Sequence, residues 1–410
     1  MEVMSNSYDS LRPLGMPKMQ YCSKCTYPIV AVNLRIGKNG LCSGCFVHEA
    51  KYLMDWNARE LELKNILDGY KSIDRSNYDC IIAVGGGKDS HFQTWYVKEK
   101  LGLNPLLVTY YTHNYSQVAE DNLRNMSRRF NVDHYIFTPG YETVKKLNIA
   151  GFKSMGDMSW HFHCGAWTVP FKVAFKFKIP IVLYGEHGFM DLAGQYNFND
   201  RPEFTVRHRL EHVLRGVDWE YFVDKEGLTK EDLLWAKYPS DEEISEIGIR
   251  GIFMGIYTHW DANEHGQLMI DKFGFKPSPE PYERTYRLMS NVDDIHENGI
   301  KDWLKFVKFG YGRATDHTSK DIRLNMMSRD NGIELVKKHD SAWPKKSYDF
   351  FINMTKFDEQ EFLQTSDTFR DPRVWWISNG EWWKDNIWGV PSSYGKVFLS
   401  KEEQIKYKHI

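Results

Sequence analysis

A short glycine loop carries the residues of this chain whose types and spacing are best suited to chemistry. Residues 78–90 read YDCIIAVGGGKDS, so an apolar stretch leads directly into Gly85, Gly86 and Gly87 and then into a polar run. Three glycines allow a tight turn whose backbone N–H groups, with the N-terminus of a following helix, can face an anion without a Cβ in the way. Neither a Walker A loop nor a Rossmann G-x-G-x-x-G turn can be read here. We therefore predict a phosphate-binding loop of another kind.

Four of the six cysteines form two pairs near the N-terminus. Cys22 and Cys25 make one C-x-x-C pair, and Cys42 and Cys45 make a second one after sixteen intervening residues. This spacing is typical of a four-cysteine zinc site, in which each pair presents two thiolates to a tetrahedral ion. With four protein ligands, the zinc would be structural. A redox or iron–sulfur role and unligated thiols are the alternatives.

The composition limits the classes of protein to which the chain can belong. It has 410 residues, of which 42% are hydrophobic and 26% charged, as is ordinary for a globular protein of two or three domains. A net charge of -2 gives no long-range attraction for a polyanion, so we expect no nucleic-acid partner. No stretch has the roughly 18 apolar residues of a membrane span, and residues 1–20 lack the apolar centre of a signal peptide. We expect a cytoplasmic protein.

The elements that must position the glycine loop are alternating strands and helices. The strands predicted after the loop are 104–111, 134–138 and 179–184, and the helices are 116–130 and 166–178. This alternation indicates βαβ units, a parallel sheet and an α/β fold. Ligands bind beyond the carboxyl ends of such strands. The glycine loop, residues 109–113 and residues 185–188 should therefore share one rim.

The remaining chain differs in composition from this α/β part. The predicted segments are a zinc-binding module at 20–48, a helical connector at 49–75, a nucleotide-binding domain at 76–195, and an insertion with a helical C-terminal region at 196–410. Within the last segment, residues 293–338 read as helix, loop and helix, with the loop at 309–319. Five tryptophans fall within residues 375–388. Such density usually marks a packed lid or an interface.

Taken together, these motifs resemble those of one enzyme family. Residues 85–90 resemble the S-G-G-x-D-S loop of the PP-loop ATP pyrophosphatases, with Gly85 where that superfamily has Ser. With the cysteine module, residues 161–188 and the segment KFGYGRATD at 308–316, the chain after Met19 resembles the N-acetyl sugar amidotransferases of surface-polysaccharide and nonulosonic-acid pathways. The resemblance implies an α/β, parallel-sheet PP-loop domain of the adenine nucleotide α-hydrolase-like, Rossmann-like kind. A zinc module would precede it, and a mainly helical, aromatic-rich region would follow.

The resemblance also implies an activity. ATP would adenylate the oxygen of an N-acetyl group on a nucleotide-activated or acidic sugar. Ammonia would then replace that oxygen to give an acetamidino group, releasing AMP and pyrophosphate. The pathway would be the biosynthesis of a surface glycan, such as the O-antigen of lipopolysaccharide, a capsule or a glycosylated flagellin.

Roles for individual residues follow from the resemblance. The residues that would hold ATP are Gly85, Gly86, Gly87 and Ser90 at the phosphates and Val108 and Tyr110 at the adenine. The catalytic residues would be Lys88, Asp89, Ser90 and Glu186. Lys88 would counter the charge on the leaving pyrophosphate, and Asp89 would orient the loop or Mg²⁺. Glu186 would contact the α-phosphate, the metal or the ammonia. The residues that would bind the sugar are His161, His163, Cys164, Arg313 and Asp316. Structural alternatives are a core strand for Val108 and Tyr110, a turn at Glu186, a packed helix start at 161–164, and helix capping by Thr315 or Asp316.

The implied cofactors are ATP, Mg²⁺ and structural Zn²⁺. The implied partners are a sugar, a glutaminase subunit, and an ammonia-delivering barrel subunit resembling those of histidine biosynthesis, because the chain shows no glutaminase signature. One alternative is a PP-loop tRNA thiolation enzyme. The near-neutral charge disfavours it, as does the presence of only Cys80 and Cys164 outside the zinc module. A second alternative, a non-catalytic zinc-ribbon scaffold with a decayed nucleotide site, draws support only from Gly85.

Overall fold

The computed structural model describes residues 12–289 and 295–407, and its centre is a six-stranded sheet. The strands are β1 Cys80–Ala83, β2 Pro105–Tyr110, β3 Asp133–Phe137, β4 Ile181–Tyr184, β5 Glu203–Phe204 and β6 Arg250–Phe253. Their spatial order is β3-β2-β1-β4-β6-β5, and every pair is parallel except β5 with β6 at the edge. The chain order reverses beside β1, which is where α/β sheets place their ligands. The predicted α/β class with a parallel sheet is confirmed.

Fifteen α-helices accompany the strands in the described part of the chain. They are α1 Ser43–Ala50, α2 Trp56–Asp68, α3 Lys88–Trp95, α4 Gln117–Phe130, α5 Tyr141–Met155, α6 Trp160–Phe177, α7 Gly188–Ala193, α8 Val206–His208, α9 Asp241–Ile247, α10 Ala262–Phe273, α11 Asn298–Phe309, α12 Arg313–Arg323, α13 Arg329–His339, α14 Lys345–Thr355 and α15 Glu359–Thr368. Helix α6 packs against β1, β2 and β4 and so lies over the middle of the sheet. None of the helices described is long and apolar enough to cross a bilayer.

Two helices differ from the sequence-based expectation in ways that affect the site. Helix α6 begins at Trp160 instead of near 166, so residues 161–164 lie within its first turns. Most of the loop expected at 309–319 is helical, because α12 begins at Arg313. The glycines at 310 and 312 end one helix and precede the next, and only three residues separate the two. The side chains of both segments are therefore held on helices.

The sheet continues beyond residue 195, where the sequence suggested the end of the nucleotide-binding domain. Strands β5 and β6 complete it on the side of β4, and α10 packs against α3, the helix that follows the glycine loop. Strand β5 has only two residues, and a long segment of short helices and turns separates it from β6. Neither strand therefore gives a clear alternation signal.

The tryptophan-rich end of the chain forms a second, antiparallel sheet. Its strands are β7 Trp375–Ser378, β8 Glu381–Lys384 and β9 Ser392–Lys396. Trp375, Trp376 and Trp382 are fully buried. The guanidinium of Arg370 lies 4.2 Å from the ring centre of Trp375 and 4.7 Å from that of Trp382. These aromatic side chains therefore pack within the chain, beside a mainly helical C-terminal region.

Candidate active site

A cavity of about 340 Å³ lies beyond the carboxyl ends of β1, β2 and β4. The predicted residues in its wall are Gly85, Gly87, Asp89, Ser90, Val108, Tyr110, His163 and Glu186. We refer to this space as the nucleotide cleft. Three segments distant in sequence thus meet at one rim, as the strand pattern predicted. The chemical roles of these residues remain predictions.

The glycine loop owes its shape to Gly86. This residue has φ of +88°, and a Cβ there would lie 3.3 Å from both the Cβ and the backbone nitrogen of Leu123. Gly85 is different, because its φ is not positive and a Cβ would meet only the Tyr115 hydroxyl, at 4.0 Å. The Gly85 N–H donates to the Ser90 hydroxyl oxygen at 3.0 Å. A serine would therefore fit at position 85, whereas position 86 requires glycine.

Helix α3 begins at the cleft with its backbone N–H groups uncapped. Gly87 is the N-cap residue and provides no side-chain acceptor, so the first N–H groups of the helix have no side-chain cap. The helix dipole adds partial positive charge at the same point. The loop and helix α3 together form an anion-binding arrangement of the kind expected for a phosphate.

Lys88 and Asp89 add opposite charges beside this arrangement. The Lys88 ammonium is almost fully buried and lies 2.6 Å from Oδ2 of Asp89. The other carboxylate oxygen, Oδ1 of Asp89, is buried and has no hydrogen-bond partner among the described residues. A buried carboxylate oxygen without a partner is a suitable ligand for Mg²⁺. The residues present therefore fit the magnesium ion that the sequence resemblance implies.

Glu186 enters the cleft from the turn after β4 and is held by the C-terminal region. The ammonium of Lys320, on α12, lies 3.3 Å from Oε1 of Glu186 and 2.5 Å from Oδ2 of Asp191. The Lys51 ammonium lies 3.4 Å from Oδ1 of the same Asp191. Burial raises the pKa of Glu186, and the charge of Lys320 opposes this shift. Glu186 is thus a buried carboxylate at the cleft whose position depends on a distant helix.

The residues predicted on α6 separate into two groups. His163 lines the nucleotide cleft, and burial together with the charges of Lys301 and Arg313 lowers its pKa, so the imidazole is neutral. His161 is fully buried, and its Nδ1 lies 3.1 Å from the Tyr110 hydroxyl. His161 therefore positions Tyr110, which lines the nucleotide cleft, but does not line the cleft itself.

Cys164 lies away from the cleft. Its Sγ is within 3.8 Å of the Thr168 hydroxyl and of the Ala236 carbonyl oxygen and within 3.9 Å of the Arg209 guanidinium. Burial raises its pKa to about 12, so the thiol is protonated at neutral pH. The sequence-based assignment of Cys164 to the sugar site therefore finds no support. The reason is helical geometry, because Cys164 and Thr168 share a face of α6 that His163 does not.

A second cavity, of about 820 Å³, adjoins the nucleotide cleft. His163 and Trp167 line both spaces. We call this second space the large cavity. The charged side chains in its wall are Asp157, Glu211, Arg215, Lys301, Asp302, Lys305, Lys308, Arg313 and Asp316. The two cavities therefore share His163 and Trp167 in their walls.

Arg313 and Asp316, both predicted to bind the sugar, line the large cavity on the first turns of α12. Nε of Arg313 donates to Oδ2 of Asp302 at 2.8 Å. Asp316 forms an ion pair with Lys305 and accepts a 2.8 Å hydrogen bond from the Tyr27 hydroxyl. The charges of Arg313 and Asp316 are thus partly balanced by neighbouring side chains, and neither residue is an isolated ion in the cavity wall.

The zinc module forms another part of the same wall through Tyr27 and residues 31–34. The four Sγ atoms of its cysteines all lie within 4.8 Å of one another. Cys22 and Cys45 are 3.9 Å apart and Cys25 and Cys42 3.7 Å apart, against about 3.8 Å for the edge of a tetrahedron with the usual zinc–sulfur bonds. The cysteines therefore fit a zinc ion.

Sequence reasoning missed some residues of the site. Gln93 lines the nucleotide cleft, and its Oε1 is buried without a partner among the described residues. It lies one helical turn after Asp89 and Ser90, so the helical period could have indicated it. Lys320 could not have been found, since it is 134 positions from Glu186.

Comparisons with known proteins agree with this arrangement over part of the chain. Residues 255–387 match the family model "LPS biosynthesis protein WbpG-like, C-terminal domain". An uncharacterized protein of Methanocaldococcus jannaschii, MJ1599, is 32% identical over 101 residues, which cover 25% of this chain and 36% of that protein. The chain thus spans about a third of the length of this curated relative.

A solved structure, the NMN synthetase of Francisella tularensis, is similar at 15% identity over 55% of this chain and 99% of its own. Its TM-score is 0.26, and the similarity supports no conclusion about this chain. The WbpG-like match covers about a third of the chain. Over residues 255–387 the chain is thus similar to a family of lipopolysaccharide biosynthesis proteins.

Proposed function

We propose that this protein is an ATP-dependent N-acetyl sugar amidotransferase. One observation carries the proposal: the nucleotide cleft and the large cavity meet at His163 and Trp167. A glycine loop serves one space, and charged side chains surround the other. Both volumes are within the usual range for small-molecule sites. Two substrates could therefore react at the boundary, ATP from one side and a sugar from the other.

In the first step, the acetamido oxygen of the sugar attacks the α-phosphorus of ATP. The bond from the α-phosphorus to the bridging oxygen breaks, and pyrophosphate leaves. The N–H groups of the glycine loop and of α3 stabilise the charge that develops on the phosphates, and Lys88 adds a cation beside them. Bound Mg²⁺ would supply further charge neutralisation, with Asp89 as its ligand. The product is an adenylated imidate, in which the former amide carbon is electrophilic.

In the second step, ammonia attacks that carbon. Glu186 lies in the same cleft and can accept the proton that the attacking nitrogen loses, because burial favours its protonated form. The carbon–oxygen bond then breaks and AMP leaves with the oxygen that belonged to the acetamido group. The neutral imidazole of His163, at the boundary of the two cavities, can exchange hydrogen bonds with the reacting group.

The ammonia source and the domain division belong to the same proposal. We assign ammonia production to a glutaminase partner with a barrel subunit, because no glutaminase motif occurs in the chain. The zinc module at 20–48 and the region after 196 would then form the sugar-binding lid and the surface for these partners. Glutamine-driven turnover by the purified chain alone would contradict this assignment.

The experiment is to incubate the purified chain with ATP, Mg²⁺, ammonium and nucleotide-linked or acidic N-acetyl sugars, and to measure AMP. We expect AMP formation that requires both a sugar and ammonium. AMP formation with unmodified tRNA and a sulfur donor would favour the thiolation enzyme instead. ATP binding without AMP release under any of these conditions would favour the scaffold.

A further inference from the structure

Lys308 is the feature of the large cavity that the proposed reaction does not explain. It lies near the end of α11 and lines the cavity, and its Nζ donates to the Met155 carbonyl oxygen at 2.9 Å. That contact uses one of the three N–H bonds of the ammonium. The Phe369 ring is centred 5.9 Å from the same Nζ. Among the described residues, no carboxylate forms an ion pair with Lys308.

The carboxylates of the large cavity are already paired with other cations. Asp157 pairs with Arg215, Asp302 with Arg313 and Asp316 with Lys305, while Glu211 pairs with the nearby Arg207. The cavity therefore has no acidic group left to balance Lys308. The charges that act on Lys308 are those of Arg215 and Lys301, both of the same sign as its own.

This arrangement disfavours the protonated amine. Burial lowers the pKa of Lys308 to about 7, and repulsion from Arg215 and then Lys301 adds to the shift. Like charges brought together in a partly dry cavity raise the energy of the ligand-free protein. A bound anion would reverse the effect, because it would be attracted by all three groups. If Lys308 only bound the Met155 carbonyl oxygen at the end of α5, a single hydrogen-bond donor would be sufficient there.

The position of the cluster relates it to the reaction centre. Lys301 lines the large cavity together with His163 and Lys308, and its charge lowers the pKa of both. His163 marks the boundary at which the acetamido group would react. Arg215, Lys301 and Lys308 thus line the same cavity as that point.

We propose that Lys308 and Arg215 form a subsite for an oxyanion carried by the sugar substrate. The oxyanion is a phosphate of a nucleotide carrier or the carboxylate of a sugar acid, two groups that cations bind by the same charge-assisted hydrogen bonds. The inference rests on the proposed function, which puts a sugar in this cavity. It assigns to the sugar a negative charge at a distance from its acetamido group.

The test is a binding measurement that needs no turnover. The full chain, saturated with a non-hydrolysable ATP analogue, is titrated with uridine diphosphate in one arm and with glucuronate in the other. We expect at least one probe to bind, and Lys308→Met to weaken that binding by tenfold or more. Lys308→Arg, which keeps the charge, should retain most of the affinity. Binding only in the first arm identifies a phosphate, and binding only in the second identifies a carboxylate.

A matched control and a stability measurement separate binding from structure. Lys346→Met changes a lysine whose side chain is 77% exposed and should leave both titrations unchanged. Because Lys308→Met removes a buried charge without a counter-ion, the ligand-free variant should melt at the same temperature as the unmutated chain or higher. A lower melting temperature would show a structural role and overturn the proposal. So would the binding of neither probe, or equal affinity in the variant. Lys308-dependent binding in a chain that forms no AMP would contradict the amidotransferase and leave the subsite intact.

Discussion

The nucleotide cleft and the large cavity are built in different ways. The cleft contains one continuous motif, residues 85–90, together with the ends of β2 and β4 and a face of α6. The large cavity has walls from the zinc module, α6, residues 208–215 and residues 301–316, which meet only in the folded chain. A local motif therefore supplies the anion-binding part of the first site, whereas every wall of the second comes from distant segments. Substitutions in the nucleotide cleft should lower the rate of AMP formation, and substitutions in the zinc module should disturb the wall of the large cavity.

The largest expected effect is that of zinc loss. The module has few buried apolar side chains of its own, and structural zinc contributes on the order of 10 kcal/mol to comparable small modules. Cys42→Ser should lower the zinc content and abolish sugar-dependent AMP formation, and it should increase hydrogen exchange in residues 20–48. ATP affinity should change much less. Elemental analysis, exchange measurements and ATP titration check these outcomes.

The control for that experiment is Cys164→Ser. This buried cysteine is outside the module, and its replacement should leave the zinc content unchanged. Full zinc content in Cys42→Ser, or iron with visible absorbance in the unmutated chain, would contradict the structural zinc site.

The next effect concerns the chemistry of the cleft alone. Asp89→Asn removes the charge of a carboxylate whose Oδ1 is unpaired in the described structure, while the amide keeps the same size. Loss of a group that stabilises a transition state typically costs about 3–4 kcal/mol, so AMP formation should fall about 10²–10³-fold. Because Asp89 also pairs with the buried Lys88 ammonium, the melting temperature should fall, and AMP formation is compared at a temperature at which both proteins are folded. A variant with nearly full activity would remove Asp89 from the mechanism.

A smaller effect distinguishes neighbouring glycines of the loop. Gly86→Ala places a Cβ at a positive φ and 3.3 Å from Leu123, so we expect about 1–3 kcal/mol of destabilisation and weaker ATP binding. Gly85→Ser should leave stability and ATP affinity nearly unchanged and raise AMP formation somewhat, by restoring the hydroxyl usual in this loop. Denaturant unfolding measures the stability of the two variants, and ATP titration measures their affinity for ATP. Equal effects at the two positions would contradict the loop geometry.

The smallest effect is a pH dependence that originates beneath the cleft. His91 is fully buried, its Nδ1 lies 3.0 Å from the Gly87 carbonyl oxygen, and burial lowers its pKa to about 4. As the pH falls, His91 takes up a proton in the unfolded chain near pH 6.5 and in the folded chain only near pH 4. The stability that the neutral His91 ring contributes is therefore fully present above pH 6.5. It is lost as the pH falls from 6.5 to about 4.

The measurement is the free energy of unfolding between pH 4.5 and 7 for the unmutated chain and for His91→Gln. The variant should show a slope that is smaller by up to about 1.4 kcal/mol per pH unit. Identical slopes would mean that His91 does not contribute to the acid sensitivity.

The difference between the two sites also explains what the sequence could predict. The glycine loop, four strands of the main sheet and the cysteine pairs were predictable because each depends on local spacing. Strands β5 and β6 were missed, since the first is very short and both follow long irregular segments. The ion pair of Glu186 with Lys320 and the position of Lys308 arise only from tertiary packing. Cys164 lines neither cavity, because proximity in sequence does not determine which face of a helix a side chain occupies.

The central claim is that ATP in the cleft activates the acetamido oxygen of a sugar in the large cavity. The most direct test uses a sugar labelled with oxygen-18 in its acetamido group, incubated with the chain, ATP, Mg²⁺ and ammonium. We predict that the label appears in AMP, because the oxygen that attacks the α-phosphorus leaves with the nucleotide. Label in pyrophosphate or phosphate, or an acetamidino product without labelled AMP, would contradict the account.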